Sequence, residues 1–306
     1  MFLSDLKKFF INSNYDYIHF HLMEFSCFER IVLAKKYTNA KIILHSHIAD
    51  HKLSNMKTKI LDFLGKKIVL RGKDDYLKAA CSVDAGKYMF KQFKLNDFVV
   101  LNNGIDVQEF IFSSEKREVI RNQLKLEDNF IIGHIGRMVE QKNHMFLLDV
   151  FKKIFEYNSK SKLLLIGNGD LKKDIINKAK NLNMLDNIIF IDNTNDIQGY
   201  LSAMDVFVFP SLFEGLGIVL IEAQSSGLNC FVTDSLPVEV NVTDNLHRLS
   251  LNQRIDEWAE EILKICNGNT DRKKVNEIVA NSNFDVKKTV KIIENYYISN
   301  MGGCNE

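Results

Sequence analysis

Short apolar runs alternate along the chain with longer stretches in which apolar residues recur every three or four positions. The short runs predict β-strands and the longer stretches predict α-helices. Strands that alternate with helices favour an α/β fold with parallel sheets. The predicted strands are 17–20, 41–44, 76–81, 98–101, 130–134, 162–166, 188–191, 206–209 and 230–232. The predicted helices are 3–11, 25–37, 56–64, 84–93, 115–124 (with Ser114 as its N-cap), 143–155, 171–181, 197–203, 217–226, 258–266 and 287–297.

The alternation runs twice, on either side of the turn signal Asn102-Asn103-Gly104. A chain of 306 residues is long enough for about two domains. We therefore expect two Rossmann-like βα domains in series, 1–107 and 108–281, followed by a C-terminal segment 282–306. In open α/β sheets, ligands bind at the carboxyl ends of the strands, so a ligand is expected in a cleft between the two domains.

Composition narrows the classes of protein. Apolar residues make up 46% and charged residues 26%, with 40 Lys/Arg against 39 Asp/Glu, which excludes a disordered chain and gives no basic field for nucleic acid. No apolar run reaches the roughly 18 residues of a membrane span, and the N-terminus lacks a signal-peptide pattern. The five cysteines form no CxxC pair, which argues against a disulfide framework or a thiolate zinc site. These features predict a cytoplasmic protein.

Charge is distributed unevenly. Residues 1–107 hold 17 Lys/Arg against 11 Asp/Glu, and the densest basic stretch is Lys52 to Lys78. Such a stretch is typical of a solvated helix face. The alternative is a patch that contacts anionic lipid head groups, which would place the protein peripherally at the inner face of the cell membrane.

The most informative segment is Pro210 to Ala223, PSLFEGLGIVLIEA, where a predicted strand runs through a loop with two glycines into a helix. Gly215 and Gly217 allow backbone N–H groups to approach a ligand, and the helix N-terminus favours an anionic group. Glu214 and Glu222 are spaced to accept hydrogen bonds from hydroxyls at two points of one elongated ligand. The alternative is that they are a helix-start acid and a solvated helix residue.

A second segment suits the same ligand. Gly136-Arg137 follows a predicted strand, and Lys142-Asn143 begins the next helix. The forked Arg137 guanidinium and the Lys142 point charge together suit a diphosphate. By itself this pattern is weak, and the glycine loop at 215–217 strengthens it.

These segments resemble retaining glycosyltransferases of family 4, which have the GT-B fold. The resemblance covers about 200 residues from Asp84 onward, and its segments occur in the family's order and spacing. They are Asn103-Gly104-Ile105-Asp106, Gly136-Arg137, Lys142-Asn143, Gly167-Asn168-Gly169, Asp205 to Ser211, Glu214 with Glu222, and Pro237-Val238-Glu239.

The resemblance implies a role for each matching residue. Glu214 would contact donor-sugar hydroxyls, Glu222 the ribose, and Arg137 with Lys142 the diphosphate. The backbone of Gly215, Leu216 and Gly217 would meet the phosphate and sugar, and the backbone of Asn195, Asp196 and Ile197 would read the base. The expected catalytic residues are Glu214, His45, Arg137 and Lys142. The substrate would be a nucleotide-diphosphate sugar, most simply a UDP-sugar, and the acceptor a polysaccharide or lipid-linked hydroxyl. The final helix would return to the acceptor-side N-terminal domain.

The predicted first domain contains two histidine pairs, His19 with His21 and His45 with His47. Alternate residues share a face of a strand, so each pair projects together and the four could bind zinc. The favoured interpretation is that His45, which matches a histidine near the family's reacting centre, serves catalysis, with no metal or other cofactor. A metal hydrolase built on His45, His47, Asp50 and His51 is a further alternative. Gly167-Asn168-Gly169 predicts a tight turn near the ligand and not a dinucleotide loop, because it lacks the third glycine.

One departure from the family concerns the opening of the chain. The resemblance implies a strand, a glycine-rich loop and a long helix before the first predicted helix here. We therefore expect a shortened N-terminal domain. A non-catalytic nucleotide-sugar-binding remnant, or one half of a split enzyme, is the alternative to an active transferase.

Overall fold

The computed structural model describes residues 2–47, 55–71, 76–91, 94, 97–264 and 271–301. Their internal contacts divide the chain into two compact units. Unit 1 holds the described residues up to Asn103 and those from Ile292 onward. Unit 2 runs from Gly104 to Lys291.

Unit 1 contains a four-stranded parallel sheet in the order β1-β2-β3-β4. The strands are β1 (Tyr17–Leu22), β2 (Lys41–Ser46), β3 (Leu77–Ala80) and β4 (Val99–Val100). The helices are α1 (Phe2–Ile11), α2 (Glu29–Tyr37), α3 (Met56–Val69) and α4 (Val83–Met89). The C-terminal helix α12 (Val286–Met301) begins in unit 2, and its second part packs Tyr296 and Tyr297 against Ile43 of β2.

Unit 2 contains a six-stranded parallel sheet in the order β10-β9-β8-β5-β6-β7. The strands are β5 (Phe130–Ile135), β6 (Ser161–Ile166), β7 (Ile188–Ile191), β8 (Val206–Phe209), β9 (Asn229–Thr233) and β10 (Leu246–Leu249). The helices are α5 (Ser114–Leu124), α6 (His144–Tyr157), α7 (Lys172–Asn181), α8 (Ile197–Ala203), α9 (Ile218–Ser225), α10 (Ile255–Lys264) and α11 (Arg272–Asn281). Short 3₁₀ helices lie at Glu140–Lys142, Leu185–Asn187 and Val238–Val240.

The central strands of unit 2 are apolar at nearly every position because helices cover both faces of the sheet. All four residues of β8 are buried, and alternate side chains enter opposite cores: Phe207 and Phe209 pack on one face, Val206 and Val208 on the other. Helix α10 closes the second face with the fully buried Trp258, whose indole N–H donates to the Ser250 carbonyl at 2.9 Å. This core fixes the carboxyl ends of β5 and β8, where the informative loops begin.

An ionic network supports unit 2 at the opposite end of β8. Asp205 accepts from Arg117 at 2.5 Å, from Arg121 at 2.7 Å and from the Ile131 backbone N–H at 2.7 Å. Arg272 is largely enclosed and donates to the Met204 carbonyl at 3.0 Å. Burial lowers the pKa of Arg272 to about 9. The match of Asp205 to the family segment therefore has a structural reason here.

Every predicted element has a counterpart in the described residues, but several bounds differ. Ser113, not Ser114, caps α5, accepting from the Lys116 N–H at 3.1 Å. Helix α3 continues five residues past the predicted end, and Gly65 within it allows a close approach, since a Cβ there would lie 2.3 Å from the Phe25 carbonyl oxygen. Strand β10 and helix α11 were not predicted, since β10 is half polar and α11 carries mostly polar residues. The ends of the predicted helices 84–93 and 258–266 lie outside the described residues.

Candidate functional site

The two informative loops follow neighbouring parallel strands. Strands β5 and β8 pair directly, with Ile132 opposite Val206 and Gly133 opposite Phe207. The loop after β5 carries Gly136, Arg137 and Lys142, and the loop after β8 carries Glu214 to Gly217. Both therefore emerge at the carboxyl edge of one sheet, where ligands bind in folds of this kind.

The two loops bind each other through side chains and backbone. The Leu212 N–H donates to the Gln141 carbonyl at 2.8 Å, and the Gln141 side chain donates to the Phe213 carbonyl at 2.9 Å. The Lys142 ammonium lies 2.6 Å from Glu214 Oε1, and their side chains are only 13% and 7% exposed. Lys142 also lies 4.4 Å from the centroid of the Phe209 ring. Two residues assigned to different parts of the ligand are thus paired with each other.

The loop that carries Lys142 also contributes residues to a cavity of about 330 Å³. This cavity lies at the carboxyl ends of β5, β6 and β7. Its lining residues are Ile135, Gly136, Arg137, Ile166, Gly167, Asn168, Asn193, Thr194 and Ile197. Arg137 is exposed, and its guanidinium has no hydrogen bond or ion pair with any residue that the structure describes. The Arg137 guanidinium, a cation with several N–H donors, therefore lines a cavity that is large enough for part of a small ligand.

The glycines in the loop after β8 have different causes. Gly217 has a φ of +77°, a left-handed conformation that favours glycine, and it begins α9. Gly215 has no positive φ, and a Cβ there would have nothing within 4 Å. The packing of the chain itself therefore does not require a glycine at 215. Leu216 between them is buried in the core.

Glu222 lies on α9 and is mostly buried. Its carboxyl has no hydrogen-bond partner among the described residues, and burial raises its pKa to about 7. The alternative of a solvated helix residue is therefore wrong. Glu239 lies in the 3₁₀ helix Val238–Val240, as a helix-start acid would, and its Oε2 is buried with no partner in the described part of the chain.

The segment assigned to the base contributes unequally to the cavity. Ile197 lines it, together with the preceding Asn193 and Thr194. Asp196 instead caps α8, accepting from the Gly199 N–H at 3.0 Å. Asn195 and Asp196 are not among the lining residues.

Sequence analysis missed two buried histidines beneath the loop after β5. His134 donates through Nδ1 to the Val208 carbonyl at 2.8 Å, and its ring lies 4.6 Å from that of His144. Burial lowers the pKa of His134 well below its usual range and that of His144 to about 4, so both are neutral at pH 7. A lone histidine in an apolar run carries no signal that would have singled them out.

Gly167 and Gly169 have packing roles. Gly167 has a φ of +135°, and a Cβ there would lie 2.2 Å from the Gly136 carbonyl oxygen. A Cβ at Gly169 would lie 2.5 Å from the Met138 carbonyl oxygen. The two glycines therefore let the loop after β6 lie directly against the loop that carries Arg137.

In unit 1, the four histidines of the described residues come together at the carboxyl ends of β1 and β2. His19 Nε2 lies 3.1 Å from His45 Nδ1, and His21 Nδ1 lies 2.7 Å from His47 Nε2. Burial and the neighbouring imidazoles lower the pKa of His19 to about 4 and that of His45 to about 3. Asp50 and His51, which complete the metal-hydrolase alternative, lie outside the described residues.

The expectations on membrane spans and on cysteines can be compared with the described residues. No described helix is both long and apolar enough to cross a membrane. Of the cysteines, Cys27, Cys81 and Cys230 are free thiols, and Cys266 and Cys304 lie outside the described residues.

Two parallel-sheet α/β units in one chain are the architecture of GT-B glycosyltransferases. The structure is similar to that of HepE from Anabaena, solved in complex with UDP, with a TM-score of 0.80, 17% identity and coverage of 97% of this chain and 82% of that one. A glycosyltransferase from Rickettsia africae gives a TM-score of 0.78 at 19% identity, covering 98% of this chain and 81% of that one. These likenesses show the fold, and the expected GT-B class is confirmed.

Sequence comparison gives the family. Residues 115–282 match the model of the glycosyl transferases group 1. EpsF of Bacillus subtilis, described as a glycosyltransferase, is 32% identical over 87% of this chain and 71% of its own length. A UDP-Gal:alpha-D-GlcNAc-diphosphoundecaprenol alpha-1,3-galactosyltransferase of Escherichia coli is 26% identical over 97% of this chain and 78% of its own. The chain belongs to the glycosyl transferases group 1 family and is a transferase.

Proposed function

We propose that this transferase moves a sugar, with retention of configuration, from a UDP-sugar to a hydroxyl of a lipid-linked or polysaccharide acceptor. The observation that carries the proposal is the Arg137 guanidinium, which has no partner in the described part of the chain and lines a cavity at the carboxyl ends of three parallel strands. Arg137 would bind the diphosphate, and its position at a sheet edge fits an anionic ligand. The UDP complex of HepE and the diphosphoundecaprenol substrate in the name of the Escherichia coli relative support the donor and the acceptor class.

Residues of the two loops and of α9 would each have a separate role in binding the donor. The Arg137 and Lys142 cations would stabilise charge on the departing diphosphate. The transfer would therefore need no metal ion. Lys142 is already held by Glu214 at 2.6 Å, so a bound diphosphate and the carboxylate would share it. Glu222, with no partner in the described residues, would accept from ribose hydroxyls. The open space at Gly215 would admit the ligand to the backbone.

Nucleotide binding tests the donor half of the proposal. We expect UDP to bind the wild-type chain in isothermal titration calorimetry, and Arg137→Ala to weaken it by about 1.5–3 kcal/mol, the value of a charge-assisted contact. Arg254→Ala removes a guanidinium on an exposed side chain and is the matched control. The donor-site proposal fails if UDP, GDP and ADP all leave the protein unbound at millimolar concentration, or if both variants bind equally.

Turnover tests the transfer. Incubation with UDP-sugars and an undecaprenyl-diphosphate glycan should release UDP and give a product whose new bond keeps the donor's anomeric configuration, read by NMR. UDP binding without release from any donor would favour the non-catalytic alternative. An inverted product would overturn retention alone.

We further propose that unit 1 contacts anionic membranes, as the basic stretch suggests. Helix α3 exposes an apolar stripe at helical spacing: Met56, Ile60, Phe63, Leu64 and Ile68 are 43–69% exposed. The same helix carries Lys57, Lys59, Lys66 and Lys67. An apolar stripe beside several lysines is typical of a helix that lies in a membrane interface. Residues 52–54 and 72–75 of the basic stretch lie outside the described residues.

Vesicle co-sedimentation tests the membrane contact. We expect the chain to bind phosphatidylglycerol vesicles more than phosphatidylcholine vesicles, with loss at high salt. Ile60→Ser with Phe63→Ser should reduce binding, whereas Val119→Ser, at an exposed apolar position on α5, should not. Equal binding to both lipids, or unchanged binding of the double variant, would reject the contact.

A further inference from the structure

The histidine cluster of unit 1 is made by the register of two adjacent strands. In the parallel pairing of β1 with β2, His21 lies opposite His45. His19 and His47 are their neighbours at alternate positions, so all four side chains project from one face. Ring centroids of neighbouring members lie 4.2–5.3 Å apart. This places four imidazoles where parallel strands end.

The nitrogen positions are close to those of a metal site. One ring nitrogen from each of His19, His21 and His45 lies within 4.8 Å of the others. His19 Nε2 and His45 Nδ1 are 3.1 Å apart, and His21 Nδ1 and His47 Nε2 are 2.7 Å apart. Nitrogens bound tetrahedrally to Zn²⁺ at about 2.0–2.1 Å lie about 3.3 Å from each other. Small ring rotations would therefore suffice for coordination.

The hydroxyl of Tyr297, on α12, orients the His19 ring. The Tyr297 hydroxyl lies 2.7 Å from His19 Nδ1, the nitrogen opposite the one that faces His45. Tyr297 is itself held, since the Tyr17 hydroxyl donates to its carbonyl at 2.6 Å and the two rings stack at 4.9 Å. Metal-binding histidines usually donate their second N–H to such an acceptor, which fixes the tautomer and orients the ring. With the proton of His19 on Nδ1, its Nε2 lone pair faces His45 Nδ1 at 3.1 Å and would exchange that contact for a metal ion.

Two features of the cluster bear on the kind of metal ion it could hold: a ring nitrogen without a partner among the described residues, and a set of ligands made of imidazoles alone. His45 Nε2 is buried with no hydrogen-bond partner among the described residues. The group consists of imidazoles alone, with no carboxylate or thiol among the described members. Imidazole donors suit Zn²⁺, Ni²⁺ or Cu²⁺ rather than Mg²⁺ or Ca²⁺, which take oxygen ligands.

We propose that His19, His21 and His45, with His47 beside them, bind one divalent transition metal ion of the Zn²⁺ type in unit 1. The proposal assigns this ion no step of the transfer. As the ion binds, the proton that His45 Nδ1 donates to His19 Nε2 would move to His45 Nε2. The ion would bind His45, so metal loading and a catalytic role for His45 exclude one another.

Direct metal titration of the full-length chain tests the site. After treatment with chelator, we expect one Zn²⁺ per chain by competition with a chromophoric chelator. Co²⁺ in its place should give visible absorption bands of a tetrahedral or five-coordinate nitrogen site. His21→Ala, at an exposed position where folding is expected to persist, should weaken Zn²⁺ binding at least tenfold. Tyr297→Phe should weaken it less, since it removes only the orienting hydroxyl.

Two matched variants separate this site from other donors. His247→Gln changes a histidine of unit 2 that bonds Asn229 at 3.0 Å, and Cys27→Ser removes the exposed thiol. Both should retain wild-type Zn²⁺ affinity and the Co²⁺ spectrum. The proposal is overturned if the wild-type chain binds less than one equivalent, if His21→Ala binds normally, or if Cys27→Ser abolishes binding. None of these outcomes depends on UDP binding, so they leave the proposed transferase activity untouched.

Discussion

Lys142 and Glu214 form an ion pair of 2.6 Å that joins the loop after β5 to the loop after β8. Sequence analysis assigns Lys142 to the diphosphate and Glu214 to the sugar. In the structure each is the other's partner. A bound donor must therefore draw Lys142 toward the diphosphate and leave Glu214 free for hydroxyls, or bridge the two.

The pair should be worth measurable stability. Lys142→Ala or Glu214→Ala leaves a nearly buried charge alone, so we expect each to lower the free energy of unfolding by about 3–5 kcal/mol. The double variant should lose less than the sum of the two. Urea denaturation of all four proteins gives the coupling energy. The exposed pair Lys153–Glu156, at 2.9 Å, is the control and should couple by less than about 1 kcal/mol. Additive losses for Lys142 and Glu214 would show that the contact stabilises nothing.

The two glycines of the loop after β8 should respond differently to alanine. Gly217→Ala must hold a left-handed φ and should cost about 1–2 kcal/mol of unfolding free energy. Gly215→Ala meets no atom and should leave the free energy of unfolding within about 0.5 kcal/mol of wild type. If the ligand uses the open space at 215, Gly215→Ala should still weaken UDP binding. Thermal denaturation with calorimetry of UDP binding measures both effects, and equal destabilisation by both variants would contradict the assignment.

The ion pairs of Asp205 with Arg117 and Arg121 should contribute more to the free energy of unfolding than an exposed ion pair does. Asp205→Asn removes the anion shared by Arg117 and Arg121, and we expect a loss of about 3–5 kcal/mol in denaturant titration. Asp192→Asn breaks the 2.6 Å contact with Lys172, in which Asp192 is 67% exposed, and should cost no more than about 1 kcal/mol. Similar losses in the two variants would mean that the network adds no stability.

Glu222 should make stability depend on pH. Its folded pKa of about 7 exceeds the unfolded value near 4.5, so the folded state holds the extra proton between these values and loses stability as pH rises. The change amounts to about 3 kcal/mol. Glu222→Gln should match wild type at pH 4.5 and exceed its free energy of unfolding at pH 8. Glu118→Gln, at an exposed position on α5, is the control and should show no such divergence. Parallel pH curves for Glu222→Gln and wild type would contradict the raised pKa.

Much of the fold was predictable because buried strands such as β8 carry continuous apolar runs and because helix α6 has a clear apolar face. Strand β10 escaped because an edge strand, LHRL, is half polar. Helix α11 escaped because its role is to anchor Arg272 and Asn276 to carbonyls rather than to bury an apolar stripe.

The candidate site, like the fold, could be predicted from the sequence only in part. Glycines and charged residues at strand ends pointed to the loops, since their spacing is local information. The Lys142–Glu214 pair depends on the strand order β8-β5, which spacing along the chain does not contain. The likeness of four histidine side chains to a metal site likewise needed the register of β1 with β2.

Helix α12 has a consequence for synthesis on the ribosome. The sheet of unit 1 is translated first, but Tyr296, whose hydroxyl bonds Lys78 at 3.1 Å, and Tyr297, which bonds His19, are translated after residues 104–291. At 5–20 residues per second, that interval lasts roughly 10–40 s. The nascent sheet of unit 1 is therefore without the tyrosines that pack against it for the whole time in which unit 2 is synthesised.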